Sequence, residues 1–131
     1  MKKTLLCKVD EQGVQLSIID FEHGGDLDLY YQLLDCDTID IVEGYGLNQT
    51  VDIICDDEGL LKEKPYLNPP ASIAYGILEH GQPIVGNALI VKPVPTPDGI
   101  EEGGFTEEEL EKIMQEIAVN TSKYITRRFT E

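Results

Sequence analysis

The sequence contains two histidines, His23 and His80, and each directly precedes a glycine at the predicted end of an element. Histidine can serve as a general base near neutral pH. The chain also carries 25 acidic residues, so a carboxylate close to either histidine is expected by chance. At a helix end, as predicted for His80, the ring commonly caps the last carbonyl groups. We therefore expect no catalytic residue, and catalysis is the weakest of three functional hypotheses.

The motifs that hold metals and cofactors are missing from the sequence. The three cysteines, Cys7, Cys36 and Cys55, include no CxxC pair, and two of them fall within apolar strand-like runs. The acidic stretch before Gly59 is similar to a calcium loop, but its oxygen ligands and glycine do not follow the required order. The segment 44–46 lacks the third glycine of a dinucleotide loop. We expect neither a metal site nor a cofactor.

The charge balance is the most unusual property of the chain. It has 25 acidic and 10 basic residues, which give a formal net charge of −15. Such a field repels nucleic acid and anionic membranes, because both are bound through lysine and arginine. It favours a protein partner with a basic surface, or it serves solubility alone.

A run of glutamates is the first candidate binding site. A helix with carboxylates along one face approaches the charge density of duplex DNA, which carries one negative charge per about 1.7 Å of its axis. The competing explanation is structural, because acids in the first turn of a helix are favoured by capping and by the helix dipole. The candidate binding residues are Glu101, Glu102, Glu107, Glu108, Glu111, Asp56, Asp57 and Asn68.

A small-molecule pocket is the alternative, with a nucleotide second messenger as the ligand. Tyrosine rings would stack on a base, and local lysine or arginine side chains would offset the global negative charge. The candidate pocket residues are Tyr45, Lys62, Lys64, Tyr66, Asn68, Tyr75, Arg127 and Arg128. In this hypothesis the protein acts as a sponge for the messenger.

Hydrophobic periodicity indicates the elements that must position these residues. Alternating or continuous apolar residues predict strands over 4–10, 14–20, 38–44, 50–57 and 84–92. Helical spacing predicts short helices over 27–34 and 71–80, and a longer helix beginning at the capping box of Thr106 and Glu109. The predicted fold class is α+β, with a small mixed or antiparallel sheet of about five strands, two short helices and a longer C-terminal helix.

Three segments follow from this pattern. Residues 1–92 are predicted to form the core domain, and residues 93–105 a linker, because its prolines and glycines disfavour a regular element. Residues 106–128 are predicted to form an amphipathic helix with a stripe of Leu110, Ile113, Met114, Ile117 and Tyr124. This stripe must be covered, either by the sheet of the same chain or by a second copy, so both a monomer and a homodimer are expected states.

The segment Asn68-Pro69-Pro70 has the composition of a helix start. An asparagine side chain can cap the first turn, and proline at the first helical position loses no hydrogen bond. The sequence thus predicts a loop-to-helix corner at Asn68, and it leaves open whether Asn68 also contacts a ligand.

Three segments carry a resemblance to a known family: "YQLLDCDTIDIVEG", "DIICDDEGLLKEKPYLN" and "IVGNALIV". In their order and spacing they resemble the family of domain of unknown function 3846, over about Leu27 to Lys92. Many members have Arg-Ala after the asparagine, where this chain has Pro69-Pro70-Ala71. The resemblance implies a protein of a bacterial phage, plasmid or other mobile element, and it implies no reaction.

The resulting expectation is a non-enzymatic acidic protein that acts in the cytoplasm of a bacterial host. The N-terminal apolar run is too short for a signal peptide, and no run approaches the roughly 18 apolar residues of a membrane span. We expect it to bind and inhibit a host protein, such as a defence factor, by occupying a basic surface that otherwise binds nucleic acid. Neither nucleic acid nor a membrane is an expected direct partner.

Overall fold

A computed structural model describes the backbone of residues 1–61 and 65–130, and their side chains except at residues 60 and 126–130. Its elements are β1 (Lys3–Asp10), β2 (Gly13–Asp20), α1 (Leu27–Leu34), β3 (Ile39–Gly44), β4 (Val51–Asp56), a 3-10 turn (Gly59–Leu61), α2 (Pro69–Tyr75), α3 (Ile77–His80), β5 (Ala88–Thr96), β6 (Gly99–Gly103) and α4 (Glu107–Thr130). The α+β class is confirmed.

The strands form one antiparallel sheet in the order β2-β1-β5-β4-β3, and β6 pairs with the second half of β5. Two hairpins, β1–β2 and β3–β4, make up the two sides of this sheet. Strand β5 lies between them, so that Ile90 pairs with both Leu5 and Ile53. A strand from the second half of the chain therefore joins the two hairpins of the first half.

One surface of the sheet, called here the α4 face, packs against α2 and α4. It presents the fully buried side chains of Leu5, Ile53 and Ile90. The other surface, the α1 face, packs against α1 through Leu6, Leu34 and Leu89 among others. Because successive side chains of a strand point to opposite faces, each central strand contributes to both cores.

The C-terminal helix docks on its own sheet. Leu110, Ile113 and Ile117 are buried in the core of the α4 face, and Met114 and Tyr124 are partly buried against it. The start of the helix is fixed by Phe105, whose backbone N–H and carbonyl both hydrogen-bond to Lys3. Of the two covers predicted for the apolar stripe, the structure thus has the intramolecular one.

The prediction of a linker over residues 93–105 is wrong, since most of this span is the β5–β6 hairpin. Residues facing each other in an antiparallel pair alternate between hydrogen-bonded and non-hydrogen-bonded positions. Pro93 and Pro95 are two residues apart, so both occupy the same class of position. This class is the non-hydrogen-bonded one, where a residue of β5 donates no N–H to β6 and proline is tolerated. Gly99, at φ 125°, then allows the tight turn.

A second correction concerns the helix predicted over 71–80. The helix breaks at Gly76, which has a φ of 117° and caps α2, so the segment forms α2 and the short α3. A glycine in the left-handed region ends a helix at little steric cost. The sheet also has six strands rather than about five, because of the added β6.

Candidate functional site

The capping box predicted at the start of α4 is formed. The Thr106 N–H donates to Glu109 at 3.0 Å, and the Glu109 N–H donates to the Thr106 hydroxyl at 3.2 Å. The Glu109 carboxylate also accepts from Lys92 Nζ at 2.6 Å. This ion pair, together with the Thr106 N–H, lowers the pKa of Glu109 below its usual value. Glu109 is therefore used by the fold.

The other acids near the start of α4 are turned to solvent. Glu107, Glu108 and Glu111 are exposed, and Glu108 approaches Lys112 at 3.8 Å across one helical turn. Glu107 and Glu111 are four residues apart and line one cavity beside Lys3. No ion pair joins either of them to another of the described residues. These two carboxylates are consequently available to a partner.

The remaining candidate acids lie elsewhere. Glu102, on β6, faces the α1 side of the sheet near Asp52, whose pKa is raised first by burial and then by Glu102 and Glu43. Asp56 and Asp57 lie at the far end of β4, where the Asp56 carboxylate accepts from the Glu58 N–H at 2.9 Å. The candidate binding acids do not form one surface, and those at the start of α4 are both close together and exposed.

An apolar groove beside α4 is the largest feature that the sequence analysis did not predict. Its floor is one side of the outermost strand, where Val14, Leu16 and Ile18 are 43%, 43% and 49% exposed. Its wall is α4, which contributes Met114 and Ala118. We call this surface the β2–α4 groove. The alternation of Val14, Leu16 and Ile18 predicted a shared face, but only the packed structure shows that this face is uncovered.

The groove consists of two cavities of about 810 and 490 Å³. Met114 and Ala118 line both, so the two cavities adjoin each other along β2. Glu107 and Glu111 stand at one end of the groove, and Pro69 lines the other. The exposed acids and the apolar floor thus belong to one site.

A polar cleft lies at the opposite edge of the α4 face, with a volume of about 190 Å³. Its lining includes Asp40, Asp57 and Tyr75. The carboxylates disfavour an anionic ligand such as a nucleotide phosphate. In the part of the chain that the structure describes, no group of histidine, cysteine and acidic side chains is arranged to hold a metal ion.

The residues of the alternative nucleotide pocket are not brought together where the structure describes them. Tyr75 lines the polar cleft, but Tyr45 and Tyr66 do not. Tyr45 is 64% exposed and donates its hydroxyl to Glu43, while the Tyr66 carbonyl accepts from the Gly86 N–H. The four basic candidates, Lys62, Lys64, Arg127 and Arg128, fall outside the described residues or side chains.

Asn68 is a structural residue and not an accessible ligand contact. It is fully buried, its amide donates to the carbonyls of Cys7 at 3.0 Å and Gly86 at 2.8 Å, and its oxygen caps α2 at Ala71 N. Its backbone N–H donates to Ile84. The predicted helix cap is confirmed, whereas Asn68 as a binding residue is wrong because its side chain is buried and already bonded. We call this arrangement the Asn68 corner.

The histidines occupy separate exposed positions. His23 Nδ1 lies 3.4 Å from the Gly24 carbonyl, and His80 Nδ1 accepts from the Gln82 N–H at 2.9 Å. The ring of His80 also meets Tyr75 edge-on, with centroids 4.6 Å apart. Neither histidine forms an ion pair with a carboxylate among the described residues. The ring contacts are local ones within loops and helix ends.

The buried thiols are unsuited to nucleophilic chemistry. Burial raises the pKa of Cys7 and of Cys55 to about 12, so both remain protonated near neutral pH. The 3.7 Å contact of Cys55 Sγ with the Asp40 carbonyl is that of a weak donor. These cysteines act as small apolar side chains in the core.

Comparison with known proteins places the chain in a family. A model of the domain of unknown function DUF3846 matches residues 2–118. No curated protein and no solved structure matches the chain. Across the described residues, no helix combines the length and the apolar character that a membrane crossing requires. The family match covers the sheet, the Asn68 corner and most of the β2–α4 groove, and the chain accordingly belongs to the DUF3846 family.

Proposed function

We propose that this protein is a non-enzymatic acidic binding protein of a phage or other mobile element, acting in the cytoplasm of a bacterial host. Its partner is a host protein with a basic surface, and binding inhibits that partner by occupying a surface that otherwise holds nucleic acid. Counter-defence is the biological role that fits this activity. One observation carries the proposal: Glu107 and Glu111 are exposed, unpaired within the described chain, and placed beside an uncovered apolar groove.

Electrostatics supports a protein partner over a nucleotide. The formal net charge is −15, and the polar cleft presents further carboxylates rather than basic groups. Long-range attraction to a basic surface raises association rates, and its strength falls with ionic strength. An anionic messenger would instead have to overcome the same field, so a nucleotide sponge is not favoured by the described geometry.

The capping box at the start of α4 also supports a protein partner, because it separates the acids that the helix uses from those that it does not. Capping and the Lys92 ion pair account for Glu109. They do not account for Glu111, which lies beyond the first turn, where the dipole effect has faded. An acid that the helix does not need, facing solvent beside an apolar surface, is typical of the rim of an interface.

The test uses the tagged full chain to capture proteins from a bacterial lysate at low and high salt. The Glu107→Lys, Glu111→Lys double variant is compared with a control, Asp37→Lys with Asp98→Lys, which makes the same change in net charge at exposed acids outside the groove. We expect a basic nucleic-acid-binding protein that the wild type and the control retain at low salt and that the groove variant loses. Added duplex DNA should compete for it.

Equal capture by all three proteins would show that only global charge matters and would contradict the proposal. Retention at high salt together with indifference to DNA would contradict the part of it that concerns a nucleic-acid-binding surface. Circular dichroism of each variant controls for folding, since a lysine near a helix N-terminus costs up to about 1 kcal/mol.

A further inference from the structure

We infer that the β2–α4 groove binds one amphipathic helix with a basic edge, supplied by the partner protein. This inference rests on the proposed function for the charge of the partner. It adds the form of the bound segment and the surface that receives it. The argument depends on the floor, the wall and the charge of the groove.

The floor of the groove is a strip of sheet that no helix covers among the described residues. Val14, Leu16 and Ile18 pair with Val9, Cys7 and Leu5, and Cys7 and Leu5 are fully buried on the same face. The α4 face is therefore covered over β1 and uncovered over β2. A helix packed beside α4 on this side of the sheet, at the usual separation of about 8–10 Å, would cover the exposed face of β2.

The wall offers an apolar flank to such a neighbour. Met114 and Ala118, one turn apart on α4, lie between the two cavities and are partly buried and exposed, respectively. The small Ala118 side chain allows another helix to approach closely. An extended strand would instead pair with the edge of β2 and leave this flank open.

Charge decides between a basic partner and a second copy of the chain. Glu107 and Glu111 stand at one end of the groove, where Lys3 is the only cation among the described residues that line the cavity. Lys3 is held by Asp20 at 2.7 Å, and that ion pair is the main reason that the pKa of Lys3 is raised. A second copy would bring another formal charge of −15 to this surface. A helix with lysine or arginine beside its apolar stripe complements it.

The experiment measures the affinity of the full chain for a labelled synthetic peptide of about 18 residues, which forms about five helical turns. The probe has leucines at helical spacing and lysines beside them. Two control peptides replace the lysines with glutamate or place two prolines at the centre. We expect the lysine peptide to bind at least about tenfold more tightly than either control. Equal binding of the proline peptide would contradict the inference that the bound segment is a helix. Equal binding of the glutamate peptide would contradict the inference that this segment is basic.

The location is tested with Leu16→Ser combined with Ile18→Ser. Its matched control is Ile100→Ser, which removes an exposed apolar side chain from β6, outside the groove. We expect the groove variant to bind the lysine peptide about tenfold more weakly and the control to bind it unchanged, because a few apolar anchors dominate such interfaces. Methyl resonances of Val14 and Met114 should shift on binding. Unchanged affinity in a folded groove variant would overturn the inference.

Light scattering of the same proteins decides whether the occupant is a second copy. A wild-type dimer that the Leu16→Ser, Ile18→Ser variant converts to a monomer would overturn the basic-helix occupant. The lysate capture described above separates this inference from the proposed function. If Glu107→Lys with Glu111→Lys abolishes capture and the serine variant does not, the proposed function holds and the groove inference fails.

Discussion

At the Asn68 corner the chain closes its α4 face with hydrogen bonds, whereas in the adjoining β2–α4 groove it leaves three apolar side chains uncovered. The corner buries a polar side chain and satisfies it with Cys7, Gly86 and Ala71. The groove exposes nearly half of Val14, Leu16 and Ile18. Both regions lie on the same side of one sheet and meet at Pro69.

The difference separates what holds the fold from what is left for binding. A buried polar group without partners would cost about 1–3 kcal/mol, so the bonds of the corner are a requirement of folding. An exposed apolar face has the opposite meaning, because folding would gain by covering it. Two features of the family resemblance, Asn68 and the 84–91 segment, lie in the closed region. They therefore account for the fold and not for binding.

The largest effect is expected when a charge is placed on the buried face of α4 and compared with a charge on its exposed face. We expect Ile113→Asp with Ile117→Asp to prevent folding, because each loses about 1.5–3 kcal/mol of burial and adds an unpaired buried charge. The matched control is Val119→Asp, which is 56% exposed on the same helix and should fold. Circular dichroism and urea unfolding measure both. A native melting curve for the double variant would show that the stripe is not core.

A smaller effect is expected at the corner itself. Asn68→Ala removes the hydrogen bonds that the buried amide donates to the Cys7 and Gly86 carbonyls and removes the cap of α2, so it should destabilise the protein by about 3–4 kcal/mol. Asn120→Ala removes a single 3.4 Å bond to Gly46 and should cost less than about 1 kcal/mol. Urea titration compares the two. Similar losses for both variants would contradict the structural role of the corner.

The smallest effect concerns the ion pair between Lys92 and Glu109. The folded pKa of Glu109 is lowered, first by Lys92, so the stabilisation is present above its unfolded pKa and is lost as pH falls through the folded pKa. The pair is partly exposed, and solvent screening limits its contribution to less than about 1 kcal/mol. Glu109→Gln should therefore be slightly less stable than wild type near neutral pH and equally stable in acid. If the free energies of unfolding of wild type and Glu109→Gln differed by the same amount at every pH, the ionisation of Glu109 would not contribute to stability and this prediction would be wrong.

Local patterns in the sequence predicted those elements whose signals are themselves local. The spacing of Thr106 and Glu109 predicted a capping box, and this box is formed. The Asn68 cap was predictable for the same reason, but its bonds to Cys7 and Gly86 were not. Those partners lie 61 and 18 residues away, and their approach depends on how the strands assemble.

The prediction of a linker over residues 93–105 was wrong because strand pairing outweighed the local proline and glycine content. Pro93 and Pro95 disfavour a strand in general, yet their spacing of two suits one side of a hairpin. The candidate acids were grouped by their charge and by their closeness in sequence, which does not determine the face on which each one lies. The sheet instead sends Glu102 to the α1 face and keeps Glu107 beside the groove. Whether a predicted apolar face is covered is a property of the whole packed chain.

The position of β5 has a consequence for the order of folding. The β1–β2 and β3–β4 hairpins each need only neighbouring residues, but their common partner is β5, and Leu5 pairs with Ile90 across 85 positions. Contacts of such long sequence separation slow folding, because the loop must close before they contribute. We therefore expect that, during synthesis, the apolar faces of the two hairpins stay exposed until β5 has been made. On this expectation the full sheet forms only after residues 88–91 are present.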